Sequence, residues 1–341
     1  MVNVKGYISS NFTKAFLTIF LPFFLIISLV YLVKISALTA QIQITFTELL
    51  TLYSYSIPDI IFYTLPISFV ASLANVLMKL SQDNELIALY ALGLKAGKIL
   101  RSLLLLGLLF SLLLASISFL AMPLSKQFYK SFKESKRADA KLNIVPGKLG
   151  QKFGNYYIYV KEKDEKNNLF HDIVIYNRTN KNEEQFFAAK EGKLKKQKNI
   201  TSLLLQDGYG YTYSKENLQQ AEYKTLEVYD ANKKQAFHFE AIIAYWNKAK
   251  TDKKMMRKIL FYIFISLIPL LSVYLIAAFT MINPRYQANR SFIIIFAVTL
   301  LFYLLATVLQ KWGNFLILAA FIMVLFILGR WLFAQRIARF F

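Results

Sequence analysis

The chain has 341 residues, 56% of them hydrophobic, and a mean hydropathy of +0.40, too apolar for a water-soluble domain whose surface must carry polar groups. A formal charge of +21 would point to nucleic acid in a soluble protein, but a membrane chain gives basic loops another meaning, and no nucleic acid is expected here. Cysteine is absent, which excludes disulfides, thiolate metal sites, cysteine nucleophiles and iron–sulfur clusters; His171 and His238 stand 67 residues apart without metal-type spacing.

Six runs are long and apolar enough for the roughly 20 helical residues that a hydrocarbon core requires. They are Ala15 to Val33, Ile57 to Met78, Ser102 to Met122, Ile259 to Ile282, Ser291 to Leu309 and about Trp312 to Gly329. The first is longer than the apolar region of a signal peptide and reads as a retained anchor. Pro22, Pro66 and Pro269 fall inside spans, where neighbours can satisfy the freed carbonyls. Three spans precede and three follow a long polar insert, so the expected fold is a membrane α-helical 3+3 arrangement: residues 1–122, an insert at 123–258, and residues 259–341.

Lysine and arginine in short loops set orientation. Lys5, Lys14, Lys79, Lys95, Lys98, Arg101, Arg285, Arg290, Arg330, Arg336 and Arg339 fall on one side, against Lys34 and Lys311 on the other, so both termini are expected in the cytoplasm. The insert holds 28 of the 41 basic and 16 of the 20 acidic residues, and its length exempts it from that rule.

Within the insert the apolar period changes to two, as in Tyr157 to Val160, Ile173 to Tyr176, and Tyr209, Tyr211, Tyr213. Polar stretches at Lys163 to Asn168, Asn180 to Glu184, Lys190 to Lys193 and Gln206 to Gly208 read as turns between short strands. An antiparallel sandwich, jelly roll or partly open barrel is expected. Ser125 to Lys141 and Ala241 to Lys258 read as connectors, and Arg330 to Phe341 as an interfacial end of the last helix.

The search for chemistry returns mostly exclusions. Asp59 is the one ionisable residue inside the spans apart from boundary arginines, and next to Pro58 it reads as a helix N-terminal cap. Mid-membrane carboxylates of a proton-coupled carrier are missing. Gly93 to Ile99 falls one residue short of a phosphate loop, with no Ser or Thr after Lys98, so no ATP hydrolysis is expected of this chain. Ser81 to Lys95 opens with Asp83 and Glu85 and closes at Gly93, start and stop signals of a short helix between two spans. From the residues alone it reads equally as an interfacial connector or as a helix that docks an ATPase. Lys34, alone at the far end of the first span, reads as a snorkelling side chain or as a contact to lipid phosphate.

The order of these elements and three strings resemble the LptF/LptG permease family of the lipopolysaccharide exporter, more LptF than LptG. The strings are Ile57 to Phe69 running through to Asn84 to Leu94, then Met281 to Arg285 after the fourth span, and Lys34 at the end of the first. The resemblance implies a periplasmic all-β, jelly-roll-like insert in an inner-membrane protein. It implies a second LptF/LptG-type permease, an LptB-type ATPase dimer that uses the ATP, an LptC-type anchor protein, and no cofactor or enzymatic site in this chain. The activity implied is extraction of lipopolysaccharide and its transfer to a periplasmic bridge. Carried over to these positions, Asp83, Glu85, Leu86, Leu89 and Gly93 belong to an ATPase-coupling helix, while Lys34 and Ile35 belong to the lipid-binding rim. A membrane scaffold or receptor with an external β-domain is the competing class.

Overall fold

The computed structural model describes residues 4–39, 44–142, 144–153, 156–164, 169–177, 183–197, 200–214, 217–229, 239–283 and 289–338. Nine α-helices are found among them: α1 (Val4–Thr39), α2 (Phe46–Gln82), α3 (Glu85–Ala91), α4 (Ala96–Ser116), α5 (Met122–Leu142), α6 (Ile242–Asn247), α7 (Lys253–Thr280), α8 (Ser291–Trp312) and α9 (Phe315–Phe333). A π-helical turn, Ile117–Ala121, joins α4 to α5. Among the described residues six helices are long and apolar enough to cross a membrane, three on each side of the insert. His238, Pro284, Arg285 and Arg339 lie outside the described residues.

The chain divides into two compact units, one of residues 1–37, 46–129 and 240–341 and the other of residues 38–45 and 130–239. In the helical unit α7 is the hub, packed by α2, α4, α8 and α9. Small residues let it be approached. A Cβ on Gly107 of α4 would lie 3.1 Å from the Pro269 carbonyl oxygen, and one on Gly329 of α9 would lie 3.2 Å from Tyr274 Cβ. Near Pro269 the Leu270 amide donates to Ser111 Oγ of α4 at 3.2 Å. Such close approach and interhelical hydrogen bonding replace the hydrophobic drive that lipid cannot supply. Within α2, Thr64 Oγ1 donates back to Ile60 O at 2.9 Å, one turn before the backbone gap at Pro66.

α1 packs mainly through its amino-terminal half, where Ile8, Phe12 and Phe16 are buried. Phe12 meets Phe69 of α2 with ring centroids 5.0 Å apart, and Phe16 meets Phe110 of α4 at 4.9 Å. Such pairs contribute about 0.5–1.5 kcal/mol each beyond their area. Farther along, Leu25, Leu29, Val30 and Val33 are exposed, with one polar contact to α2 between Ser28 and Tyr53.

The insert is a six-stranded antiparallel sheet whose strands follow one another in chain order: β1 (Gln151–Phe153), β2 (Tyr156–Asp164), β3 (Leu169–Asn177), β4 (Glu183–Gln197), β5 (Ile200–Ser214) and β6 (Leu218–Tyr229). The all-β insert in a helical membrane protein is thus as expected. A jelly roll interleaves strands between two sheets, whereas the described strands form a sequential meander. The expected turns at Lys190 to Lys193 and Gln206 to Gly208 lie inside β4 and β5.

Those polar residues mark a crease instead. On five strands the inward positions step by three where they otherwise alternate, from Val160 to Lys163, Phe170 to Ile173, Ala189 to Gly192, Leu205 to Gly208 and Tyr223 to Leu226. The pairing ladder skips Lys161, Asp172, Lys190, Asp207 and Lys224 in one line across the sheet and resumes in unchanged register. Asp172 and Asp207 both have φ of 50°, a left-handed conformation that aspartate tolerates better than most residues. Tyr223 passes over Gly208, donates to Ala188 O at 3.0 Å, and has its phenol pKa pushed up to about 12 by burial.

Candidate functional site

α2 ends next to the end of α7, and one serine holds the two together. Ser81 Oγ lies 2.9 Å from Leu77 O and 3.0 Å from Thr280 O, and it accepts from the Ile282 amide at 3.2 Å. The chain then reverses. Asp83 donates its amide to Lys79 O, closing α2, and Asn84 adopts a left-handed φ of 57°. Asparagine suits that turn because its short polar side chain tolerates the left-handed region. α3 follows and stops at Gly93, whose φ is 79°. There the Gly93 amide bonds Tyr90 O and the Leu94 amide bonds Leu89 O, the pair of reversed bonds that ends a helix on a left-handed glycine.

The residues expected to couple the chain to an ATPase therefore share one turn–helix–turn. Asp83 and Gly93 are exposed at its two ends, Leu86 is buried, and Leu89 and Tyr90 pack partly on the helical core. Glu85 opens the helix and accepts from Tyr7 Oη of α1 at 2.7 Å. Ile87 and Leu92 stand 38% and 77% exposed beside it. An apolar pair flanked by a carboxylate on a short surface helix is chemistry suited to a protein groove.

At the opposite end of α1, Lys34 is exposed, with its ammonium 5.7 Å from the Tyr31 ring centroid. Ile35 is 1% exposed, so of the two residues expected at the lipid rim only Lys34 is presented at the surface.

Asp59 is not a cap. α2 begins at Phe46, eleven residues before the span read from hydropathy, which places Asp59 well past the unsatisfied amides of the first turn. Its Oδ1 instead lies 3.3 Å from Lys126 Nζ of α5, an ion pair whose alignment falls short of a hydrogen bond. Lys126 also donates to Tyr262 Oη at 2.9 Å. Lys258 donates to Tyr245 Oη at 2.8 Å and lies within 6 Å of the rings of Tyr245, Trp246 and Tyr262. Trp246 Nε1 donates to Phe119 O in the π-helical turn at 2.9 Å, and the Gln127 amide exchanges two bonds with the Glu240 backbone. These contacts tie the chain leaving the helical unit to the chain returning to it. Sequence reasoning missed the network. The usable signal was the unmatched charge of Asp59, whose partner lies 67 residues away and is brought near only by helix packing.

Between α2, α7 and α8 lies an apolar cavity of about 440 Å³, lined by Tyr63, Val70, Phe261, Ile265, Phe302 and Tyr303 among others. Among the described residues no group of acidic or histidine side chains has the arrangement of a metal site. His171 Nδ1 faces Glu191 across two strands at 3.9 Å. The helical unit thus presents an exposed short helix at one end of α1, an exposed lysine at the other, and an apolar cavity between α2, α7 and α8.

A sequence model described as "Lipopolysaccharide export system permease LptF/LptG" matches residues 6–335. No curated protein matches the chain.

Proposed function

We propose, from the premise that the chain belongs to the lipopolysaccharide export permease family LptF/LptG, that it is one permease half of an ATP-driven exporter. In this reading it draws lipopolysaccharide from the inner membrane and passes it to a periplasmic bridge. It is a multi-pass inner-membrane protein. Both termini and α3 face the cytoplasm, and residues 123–258 form the periplasmic insert, as the eleven basic residues of one side against two of the other favour. Within the joint family we place the chain nearer LptF, on the strings Ile57 to Phe69 and Asn84 to Leu94.

The observation that carries the reading is α3. A helix that buries Leu86 alone while presenting Glu85, Ile87 and Leu92 is suited to receive an LptB-type ATPase dimer, which supplies the hydrolysis this chain lacks. The exposed apolar faces of α1, α8 and α9 fit lipid, a second LptF/LptG-type permease and an LptC-type anchor helix. Lys34 offers an ammonium to lipid phosphate at the outer end of α1. No cofactor is assigned to this chain.

Purification in mild detergent tests the whole reading. A stoichiometric cytoplasmic ATPase, a second six-span subunit and bound lipopolysaccharide are expected; a scaffold or receptor would come out without the ATPase. Glu85→Lys is expected to weaken ATPase retention or uncouple hydrolysis from transport, and full coupled transport by that variant would reduce α3 to a connector. A photo-crosslinking residue at position 34 is expected to capture lipopolysaccharide more than one at Ile317 in α9. Equal capture, or transport unchanged by Lys34→Glu, would leave Lys34 as a snorkelling residue.

A further inference from the structure

We infer that Tyr7 is the positioning residue for Glu85, and that through this bond α1 links the ATPase-facing helix to the lipid-facing end of the chain at Lys34. The inference rests on the reading of α3 as a coupling helix.

α3 is only seven residues long and is packed on the helical core through Leu86, Leu89 and Tyr90. Leu86 is its one buried residue, and the Asn84 side chain makes no capping bond to its free amides. The backbone turn from Lys79 to Asn84 fixes where the helix starts, but it leaves rotation about the helix start to the side chains. Tyr7 Oη adds to that apolar packing a directional bond to the carboxylate, 2.7 Å from Glu85 Oε2. A carboxylate has room for about four donors. Tyr7 therefore orients Glu85 and leaves its other oxygen for a donor on the partner. Tyr7 is 43% exposed, which keeps the pair at a surface a partner can reach.

The tyrosine comes from a helix suited to carry a displacement. Next to it Ile8 and Phe12 are fully buried, so the inner end of α1 is seated on α2 and α4. α1 then runs without interruption from Val4 to Thr39, with Pro22 its one interior proline. At 1.5 Å per residue, Tyr7 and Lys34 are about 40 Å apart on the same rod. Only 11% of its most apolar stretch is buried, and beyond Phe16 the buried positions are Ser28, bonded to Tyr53 of α2, and Ile35, so few contacts oppose its movement once the inner end shifts. A push on α3 by the ATPase reaches Glu85, passes through the Tyr7 hydroxyl to the inner end of α1, and tilts the sparsely packed half that carries Lys34. Neither a lone surface hydrogen bond nor a lone exposed lysine would suggest this; their placement on one helix does.

The test uses the complete exporter in lipid nanodiscs, with Tyr7→Phe, Glu85→Ala and the double variant compared by lipopolysaccharide released per ATP hydrolysed. Tyr7→Phe keeps the ring and removes only the hydroxyl. It is expected to lower that ratio about three- to tenfold, with an unchanged amount of co-purified ATPase and an unchanged KM for ATP. It is also expected to flatten the ATP-dependent change in lipid crosslinking at position 34. In the Glu85→Ala background, Tyr7→Phe is expected to add nothing, because the bond is already gone. Uncoupling by Glu85→Ala with a wild-type ratio for Tyr7→Phe would overturn the role of Tyr7 while leaving α3 as the coupling helix. Full coupling by Glu85→Ala would overturn the reading of α3 itself. Independent, multiplying effects of the two variants, or loss of the ATPase with Tyr7→Phe alone, would also overturn the link.

Discussion

In the sheet, the buried core includes Ile158, Val160, Phe170, Ile173, Ile175, Ala189, Leu203, Leu205 and Val228, apolar side chains withdrawn from water. In the helical unit apolarity does not decide burial: α7 and the span of α9 have the same mean hydropathy of 2.5 but are 67% and 17% buried. α2, which carries Thr64, Ser68, Ser72 and two prolines, has 72% of its most apolar stretch buried, whereas the more apolar α1 has 11%. Water makes burial of apolar surface favourable at about 25 cal/mol per Å²; a bilayer offers α1 a solvent as apolar as any core. Helices therefore meet where small or hydroxyl-bearing residues permit close backbones and interhelical hydrogen bonds.

The largest expected effect tests that contrast at the hub. Gly107→Leu would force a side chain against the Pro269 carbonyl and Val273, and should destabilise the helical unit by about 3 kcal/mol, read from unfolding in detergent. A stable variant would show that α4 and α7 do not depend on the small contact.

Next comes Tyr223→Phe, which probes the crease. It leaves the Ala188 carbonyl without its hydroxyl donor and should cost the insert about 1.5 kcal/mol. The pH dependence has a definite sign. With the folded phenol at about 12, above the unfolded value of 10.0, the contribution is fully present below pH 10.0 and is lost as pH rises toward about 12. Alkaline titration of wild type against Tyr223→Phe checks this, since the variant should lose the tyrosine component.

Asp59→Asn is expected to cost less, about 1 kcal/mol, because both partners of the Lys126 pair keep some solvent contact. A cycle of Asp59→Asn, Lys126→Met and the double variant measures the pair itself. Leu25→Ala on the exposed half of α1 should change stability by no more than about 0.5 kcal/mol. A loss above 2 kcal/mol there in the isolated chain would mean that α1 is seated along its whole length, against the contrast drawn from burial.

The sequence by itself determined the six spans, the 3+3 division and the β-rich insert, because hydropathy and a change of period from helical to two are local properties. It also marked a short helix within Ser81 to Lys95 through Asp83, Glu85 and Gly93, whereas the structure narrows it to Glu85–Ala91, leaves Ser81 and Gln82 in α2, and adds the left-handed turn at Asn84. Polar runs misled where they occurred inside strands: Lys190 and Asp207 looked like turns and belong to a crease, which becomes visible only when five strands align their skipped residues. Asp59 misled for a related reason, since hydropathy marks where lipid begins rather than where the helix does. Tertiary structure alone decided which apolar faces are core, that Asp59 belongs with Lys126, and that Tyr7 reaches Glu85 across 78 residues of chain. Those choices depend on helix packing, and in lipid helix packing is set by close fit and hydrogen bonding between distant residues, for which hydropathy carries no signal.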